Sequence, residues 1–277
     1  MHHYLRSALR FDVTDSGPAD GEAVVLLHGF PQQPSTWENV AGRLNDAGLR
    51  TLVPSLRGYT ATSRPRPRSA YAATETTADV VALLDAAGVE RAHIVGHDWG
   101  AGPTWGMGSW YPDRVSSLTV VSTPHPAAFA RSLRSSEQGL RSWYMAFFQL
   151  PVVPEALVLR AMERLLTASG LPADRAQTYT AAMAEPGVLT GAINWYRGIP
   201  FTTRSFRRIR VPTTYVWGRH DPALGRYAAE ATADYVTGPY TFLDLDAGHW
   251  LPEREPEAVA EAILAQVRSV PESAAPR

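Results

Sequence analysis

The sequence predicts an α/β fold in which helices cover both faces of a mostly parallel central sheet. Short apolar runs that suit strands buried on both faces alternate with amphipathic stretches of helical length. This alternation is typical of parallel sheets built from strand–helix–strand units. It stops over residues 124–208, where helical patterns and loops replace the strands. We therefore expect a helical segment inserted between two strands of the sheet.

The predicted elements follow the chain in order. Five apolar runs predict central strands at residues 23–27, 92–95, 118–121, 213–217 and 241–245, and two weaker runs predict strands at residues 9–13 and 49–53. Amphipathic stretches predict covering helices at residues 35–47, 74–87, 222–235 and 252–267. The last two stretches open with proline, whose missing N–H costs nothing at the start of a helix.

The inserted segment predicts a helical cap over the sheet. Helical patterns within it cover residues 137–149, 155–169 and 188–197. The predicted organisation is thus a core domain of residues 1–124 and 206–277, with a helical cap (lid) domain of residues 125–205.

Composition excludes several kinds of chemistry. The chain of 277 residues has no cysteine, and all 26 of its basic residues are arginine. Thiol nucleophiles, thiolate metal sites and lysine Schiff bases are therefore excluded. The net charge is −1 without a basic stripe, so no nucleic-acid partner is expected. No apolar run reaches the roughly 18 residues of a membrane span, and no secretory signal is evident, so we expect a cytoplasmic protein without a membrane partner.

The main chemical motif is GHDWG at residues 96–100, directly after a predicted strand. A strand that turns sharply into a helix leaves no room for side chains two residues either side of the apex. Glycine at both places lets the apex residue project outward. The apex is Asp98, and the helix N-terminus behind it favours an ionised carboxylate. Glycine-rich turns with Asp are common, so the strand–turn–helix context carries the prediction that Asp98 is a nucleophile.

Asp221 and His249 each follow a further predicted strand. The chain order of nucleophile, acid and histidine is that of the α/β-hydrolase catalytic triad. Asp221 has the alternative interpretation of a helix cap ahead of Pro222, and His249 that of a surface-loop histidine. Asp244 and Asp246 are rival acids, but they lie on the same strand and turn as His249.

HGFP at residues 28–31 directly follows the strand predicted at residues 23–27. In the α/β-hydrolase fold this loop gives one backbone N–H to an oxyanion hole, and the residue after the nucleophile gives the other. The predicted donors are the amides of Phe30 and Trp99. His28 is expected to hold its loop. The other histidines expected to be structural are His97, His125 and His220.

The sequence resembles the α/β-hydrolase superfamily and, within it, the epoxide hydrolases with an aspartate nucleophile. HGFP, GHDWG, GRHD at residues 218–221 and AGHW at residues 247–250 match the core motifs, and the resemblance covers nearly the whole chain. NWYR at residues 194–197 resembles the family motif whose tyrosine activates the epoxide oxygen, which implies that role for Tyr196. Tyr144 lines up with the second family tyrosine when anchored on the F-Q-x-P that follows it. Without the family pattern, either tyrosine would be interpreted as helix packing.

The resemblance implies a two-step hydrolysis. Asp98 attacks an epoxide carbon to form an ester while Tyr144 and Tyr196 protonate the leaving oxygen. His249, oriented by Asp221, then activates water to hydrolyse the ester. The aromatic residues expected to line an apolar substrate pocket are Phe30, Trp99, Trp143 and Trp195. We therefore expect a lipophilic epoxide and water as partners, without a cofactor or metal, in a monomer or homodimer.

Other functions are weighed against this one. Haloalkane dehalogenases also place tryptophan after an aspartate nucleophile, but Phe30 stands where a side-chain donor to halide would be expected. Fluoroacetate dehalogenases share HGFP but have arginine where this chain has Trp99. An esterase or lipase is disfavoured because the apex is not serine. A hydrolase-fold binding protein without turnover would need neither a triad nor paired tyrosines.

Overall fold

The computed structural model describes residues 1–270, so the last seven residues of the predicted core segment lie outside the described residues. Within the described chain, eight strands form one sheet in the order β1-β2-β4-β3-β5-β6-β7-β8. The strands are β1 His3–Arg6, β2 Leu9–Ser16, β3 Ala23–Leu27, β4 Arg50–Pro54, β5 Ala92–His97, β6 Val115–Val121, β7 Thr213–Gly218 and β8 Tyr240–Leu245. β1 and β2 are antiparallel to their neighbours, and the six strands β3 to β8 run parallel to one another. The predicted fold class is confirmed.

Helices lie on both sides of this sheet and between β6 and β7. They are α1 Glu38–Asp46, α2 Ala73–Ala86, α3 Ala101–Trp110, α4 Pro126–Ser135, α5 Gln138–Arg141, α6 Trp143–Phe147, α7 Val153–Ala168, α8 Ala173–Ala184, α9 Val188–Gly198, α10 Arg226–Ala231, α11 Leu251–Arg254 and α12 Pro256–Arg268. Among the described residues, no helix is both long and apolar enough to cross a membrane.

Successive residues of the central strands point into two separate apolar clusters. On β3, Val25 and Leu27 belong to one cluster, and Val24 and Leu26 belong to the other. All four side chains are fully buried. Because strand side chains alternate between faces, a strand needs a continuous apolar run only when both faces are covered. This is why these strands were readable as unbroken apolar runs.

One strand was not predicted, and one helix was predicted to begin too early. β1 escaped prediction because its four residues carry only one buried side chain, Tyr4. The helix predicted over residues 222–235 begins at Arg226 and ends at Ala231, with a 3-10 turn after it. Pro222 is not the first helical residue, because the Asp221 carboxylate accepts the amides of residues 223 and 224 and folds them into a separate turn.

The helix predicted over residues 252–267 is two helices, α11 and α12. Glu255 interrupts them with φ −132° and ψ 48°. It precedes Pro256, whose ring disfavours the helical conformation in the residue before it.

The inserted helices also differ from the prediction. The single helix predicted over residues 137–149 is divided into α5 and α6, with Ser142 between them. α4 and α8 were not predicted. Each buries few side chains, which are Ala128 and Ser132 on α4 and Ala176, Tyr179 and Met183 on α8. Neither helix therefore shows the run of large apolar residues that indicated helices elsewhere.

Candidate active site

The site forms where parallel strands end at one edge of the sheet. β3, β5, β6, β7 and β8 all run in the same direction, so their carboxyl ends meet there. Ligands of open α/β sheets bind in the crevice outside these ends. The segments that follow β3, β5, β7 and β8 carry Phe30, Asp98, Asp221 and His249. The sheet topology therefore brings together residues that lie far apart in the sequence.

Asp98 occupies the apex of the turn between β5 and α3. Its φ of +49° lies in the left-handed region, which a non-glycine residue rarely adopts. The two glycines of the motif have no room for a side chain. A Cβ on Gly96 would lie 2.3 Å from the carbonyl oxygen of Gly100, and one on Gly100 would lie 2.2 Å from the carbonyl oxygen of Leu27. The backbone is therefore held in this conformation by close packing on both sides.

The Asp98 carboxylate is engaged by one backbone donor and by the histidine. The Phe30 amide donates to its Oδ1 at 2.8 Å, and His249 Nε2 lies 3.6 Å from its Oδ2. Burial works to raise the pKa of Asp98, but hydrogen bonding with His249 and the positive charge of that ring outweigh burial and lower it. Asp98 is therefore ionised at neutral pH, which is the state a nucleophile requires.

Asp221 holds the other side of the His249 ring. His249 Nδ1 lies 2.7 Å from Asp221 Oδ2. The remaining oxygen, Oδ1, accepts the amides of Ala223 and Leu224 at 2.8 and 2.9 Å. The helix-cap alternative for Asp221 is not borne out, because its Oδ1 orders a turn that ends before α10 begins, while Oδ2 contacts the histidine.

The rival acids are occupied elsewhere. Asp244 pairs with Arg219 at 3.2 Å and with Arg226 at 3.0 Å. Asp246 lies 2.7 Å from Nε2 of the exposed His220. Asp221 is therefore the one of these three acids that contacts His249.

The two carboxylates also control the charge of His249. Burial alone would lower the pKa of this imidazole, but the charge and hydrogen bond of Asp221, followed by those of Asp98, raise it to about 10. The free protein thus holds an imidazolium between two carboxylates. Any change that removes the charge of Asp98 would lower this pKa again.

Tyr196 and Tyr144 face the same space from the inserted helices. The Tyr196 ring, on α9, packs edge-on against Trp99 with 4.6 Å between centroids, and it lies 6.0 Å from the Tyr144 ring on α6. Burial is the largest cause that raises the pKa of both phenols, with the negative charge of Asp98 adding to it. Both hydroxyls therefore keep their protons at neutral pH.

Arg197 fixes the helices that carry these tyrosines. Its guanidinium donates to Glu155 Oε1 at 2.6 Å and to Oε2 at 3.1 Å, and its Nε donates to the Phe148 carbonyl at 2.9 Å. It also donates to the Leu150 carbonyl. Since Arg197 is itself on α9, it ties the α6–α7 connection to the helix that carries Tyr196.

An apolar groove of about 400 Å³ borders this space through Phe30 and Tyr144. Its lining residues are Phe30, Pro31, Trp143, Tyr144, Phe147, Phe148, Leu157, Val158, Ala161, Met162, Leu165 and Leu166. Of the four aromatic residues expected to line a pocket, the described chain places Phe30 and Trp143 on the groove, but not Trp99 or Trp195. The Trp195 indole donates instead to the Arg57 carbonyl at 2.8 Å.

Known proteins match this arrangement over most of the chain. A family model for the α/β hydrolase fold matches residues 22–256. Epoxide hydrolase A from Mycobacterium tuberculosis is 31% identical over 93% of this chain and 94% of its own length. The chain belongs to the epoxide hydrolase family of α/β-hydrolases. This confirms the resemblance drawn from the sequence motifs.

Two further epoxide hydrolases are similar to this chain. Human epoxide hydrolase 4 is 31% identical, with 95% of this chain and 77% of that protein covered. The crystal structure of epoxide hydrolase A from Mycobacterium thermoresistibile aligns with a TM-score of 0.84 at 28% identity, covering 96% of this chain and 98% of that one. The similarity thus spans both the sheet and the inserted helices.

The remaining histidines of the site region hold backbone segments. His28 Nε2 accepts the Leu56 amide at 3.2 Å while Nδ1 lies 3.0 Å from the Gly29 carbonyl. His125 Nδ1 accepts the Ala127 amide at 3.2 Å at the start of α4. Burial lowers the pKa of both imidazoles to about 4, so neither carries charge at neutral pH.

Sequence reasoning missed the support that the end of β6 gives to the site. Thr123 Oγ1 donates to the Asp98 carbonyl and Ser122 Oγ donates to the His249 carbonyl, each at 3.0 Å. Residues 122–124 contain no carboxylate or histidine, so nothing in their sequence marked them as part of a site. Their place at the end of a strand beside β5 was the signal that could have identified them.

Proposed function

We propose that the protein hydrolyses an apolar epoxide to a vicinal diol through an ester on Asp98. The observation that carries this proposal is the pairing of an ionised carboxylate with two protonated phenols across one apolar space. A carboxylate can attack an epoxide carbon, and the alkoxide released is basic enough to take a proton from a phenol. Membership in the epoxide hydrolase family supports the same reaction.

In the first step an Asp98 oxygen forms a bond to one epoxide carbon and the bond between that carbon and the epoxide oxygen breaks. Tyr196, assisted by Tyr144, gives its proton to that oxygen. The products are a hydroxyalkyl ester and a phenolate. Phenol donors suit this leaving group, whereas a halide would need no proton.

In the second step water attacks the carbonyl carbon of the ester. His249 takes one water proton, and the amides of Phe30 and Trp99 stabilise the oxyanion. Collapse releases the diol, whose second oxygen takes the proton from His249. The other water proton is left on the restored Asp98 carboxyl, which passes it to His249 and so regenerates the carboxylate and the imidazolium of the free protein.

The raised pKa of His249 fits this order of events. An imidazolium cannot act as a base, so the free protein is not yet ready to activate water. Ester formation makes Asp98 neutral and removes one of the two carboxylates that hold the proton. The imidazolium then gives its proton, through solvent, to the phenolate left by the first step, so His249 is neutral and can act as the base when water attacks.

A single turnover in oxygen-18 water tests the covalent route. Unlabelled enzyme in excess over an aryl glycidyl ether should give a first diol without label, because the new oxygen comes from Asp98. Later turnovers should give labelled diol. Labelled diol in the first turnover would exclude the ester. Halide release from chloroalkanes without diol formation would indicate a dehalogenase, and loss of neither substrate would indicate a binding protein.

A further inference from the structure

A buried amide lies directly behind the predicted oxyanion loop. Gln32 is fully buried, and its Oε1 accepts the Gly29 amide at 3.0 Å. Gly29 has no space for a side chain, since a Cβ there would lie 2.4 Å from the Asp98 Cβ. The Gly29 backbone therefore packs directly on Asp98. Its position sets that of the next amide, Phe30, which donates to the nucleophile.

The same amide oxygen reaches the histidine loop through His97. Because the Gly29 N–H fixes which atom is oxygen, the Gln32 Oε1 that lies 2.8 Å from His97 Nδ1 is an acceptor. His97 Nε2 lies 2.9 Å from the His249 carbonyl, another acceptor. Burial lowers the pKa of His97 to about 4, so the neutral ring has one N–H to share between these two acceptors. Gln32 thus competes with the His249 backbone for a single proton.

The other end of Gln32 is held by Glu253. Gln32 Nε2 donates to Glu253 Oε1 and to Thr36 Oγ1, both at 2.7 Å. Thr36 also donates to Glu253 Oε1, at 2.5 Å. All the hydrogen-bonding positions of the Gln32 amide are therefore used, and its orientation is fixed.

Glu253 connects this network to the inserted helices. The Tyr179 hydroxyl, on α8, donates to Glu253 Oε1 at 3.1 Å. The Tyr179 side chain is fully buried. A continuous series of contacts therefore runs from α8 through Glu253 and Gln32 to Gly29.

We propose that Gln32 and Glu253 are positioning residues that couple the inserted helices to the oxyanion hole. Tyr179 fixes Glu253, Glu253 fixes the Gln32 amide, and Gln32 aligns the backbone that presents the Phe30 N–H. None of these three side chains contacts the reacting atoms. They act on the second chemical step, because the oxyanion forms when water attacks the ester. The inference rests on the proposed epoxide hydrolysis.

The test is pre-steady-state kinetics with an aryl glycidyl ether, which separates ester formation from ester hydrolysis. Removal of a whole oxyanion donor slows catalysis by about 10²–10³-fold. A donor that is present but misaligned should lose less, so Gln32→Leu should slow hydrolysis by about 10-fold or more. Ester formation should change less than 3-fold. Gln32→Glu keeps an acceptor for Gly29 but places a second carboxylate beside Glu253, so it should restore part of the loss only at a pH low enough for the two to share a proton.

Tyr179→Phe tests the link to α8 if Gln32→Leu fails to fold. It removes one of the three donors to Glu253, and hydrolysis should slow by about 3-fold. Tyr71→Phe is the matched control, because Tyr71 is also buried and donates one hydrogen bond, to the Pro65 carbonyl at 3.0 Å. Gln266→Leu is the control for loss of a buried amide, since Gln266 on α12 accepts from Thr214 near the amino end of β7, away from the edge of the sheet where the site forms. Neither control should alter the ratio of the two rate constants.

The outcomes separate this inference from the proposed function. If the wild-type protein forms and hydrolyses the ester but Gln32→Leu and Tyr179→Phe leave the ratio unchanged, the coupling is wrong. Equal slowing of both steps would also contradict it, because that would indicate general loss of structure. If the wild-type protein forms no ester at all, the proposed function itself fails.

Discussion

The two sides of the site are held in place by different kinds of contact. On the sheet side, Asp98 is fixed by a strained backbone turn, and Asp221 is fixed by two backbone amides. On the helical side, Tyr196 is fixed by the packing of aromatic rings and by the Arg197 contacts with the α6–α7 connection.

The residues proposed to react are thus held by the backbone, whereas those proposed to accommodate the substrate are held by side-chain packing. The backbone around Asp98 and Asp221 has little room to adjust, so the proposed nucleophile and base should keep one geometry with different substrates. Side-chain packing can change with a few substitutions, so the phenols and the groove can be adapted to different epoxides. We therefore expect changes on the sheet side to abolish a step, and changes on the helical side to weaken one.

The largest effect should come from His249→Gln. An amide cannot take a proton from water, so ester hydrolysis should slow by about 10³-fold while Asp98 still reacts. Mass spectrometry of the digested protein should find the mass of the substrate added to the peptide that contains Asp98. His220→Gln is the control, since this exposed histidine pairs only with Asp246 and should leave turnover intact. Normal turnover by His249→Gln would show that His249 is not the base and that changes on the sheet side do not abolish a step.

Tyr196→Phe should weaken the first step without abolishing it. Loss of a general acid typically costs about 10²-fold, and Tyr144 remains as a second donor. Ester formation should therefore slow by about 10²-fold, while hydrolysis of the ester changes little. Stopped-flow measurement of tryptophan fluorescence would resolve the two steps. Equal slowing of both steps would count against Tyr196 as the acid.

Arg197→Met tests whether side-chain contacts hold the helical side. It leaves Glu155 without its partner in a pair whose side chains are only 3% and 18% exposed. Breaking a buried pair of this kind costs about 3 kcal/mol, so the free energy of unfolding in urea should fall by that amount. Arg10→Met breaks an exposed pair with Asp12 and should leave unfolding unchanged. An unchanged free energy for Arg197→Met would mean that packing alone positions Tyr196.

The last prediction concerns pH. The pKa of His249 is raised from 6.5 to about 10 in the folded protein, so its contribution to stability is complete below about pH 6.5. That contribution is lost progressively as pH rises through about 10. Urea unfolding between these pH values should show a decline that His249→Gln lacks. In single turnovers, ester hydrolysis should rise with pH through a lower value than 10, because the ester has no charge on Asp98. A rise centred at 10 would contradict this account.

The sheet side of the site was also the more predictable side. A buried strand followed by GHDWG can turn in only one way, and the loops after parallel strands must meet at one edge. The positions of Asp98, Asp221 and His249 beside one another follow from these two facts. The roles of these residues remain the proposal made above.

The helical side was less predictable because its short helices show no clear periodicity of apolar residues. Short helices such as α5 and α6 carry too few residues to show a repeating apolar face. Trp195 was expected on the substrate pocket because it is aromatic and adjoins Tyr196. Its indole faces the core instead, where the Arg57 carbonyl accepts its N–H. Gln32 was overlooked because a glutamine in a loop has no distinctive sequence pattern.

The two carboxylate oxygens of Asp221 have different partners, and this affects the tautomer of His249. Two backbone amides claim one of its oxygens, so the side chain cannot rotate without losing both bonds. In Asp221→Asn the amide oxygen would have to face those donors, which would turn the NH₂ group toward His249 Nδ1. That nitrogen would then have to accept, and the proton would move to Nε2, the atom that must be free to take a proton from water. A backbone turn outside the reaction space thus determines which nitrogen of His249 is the base.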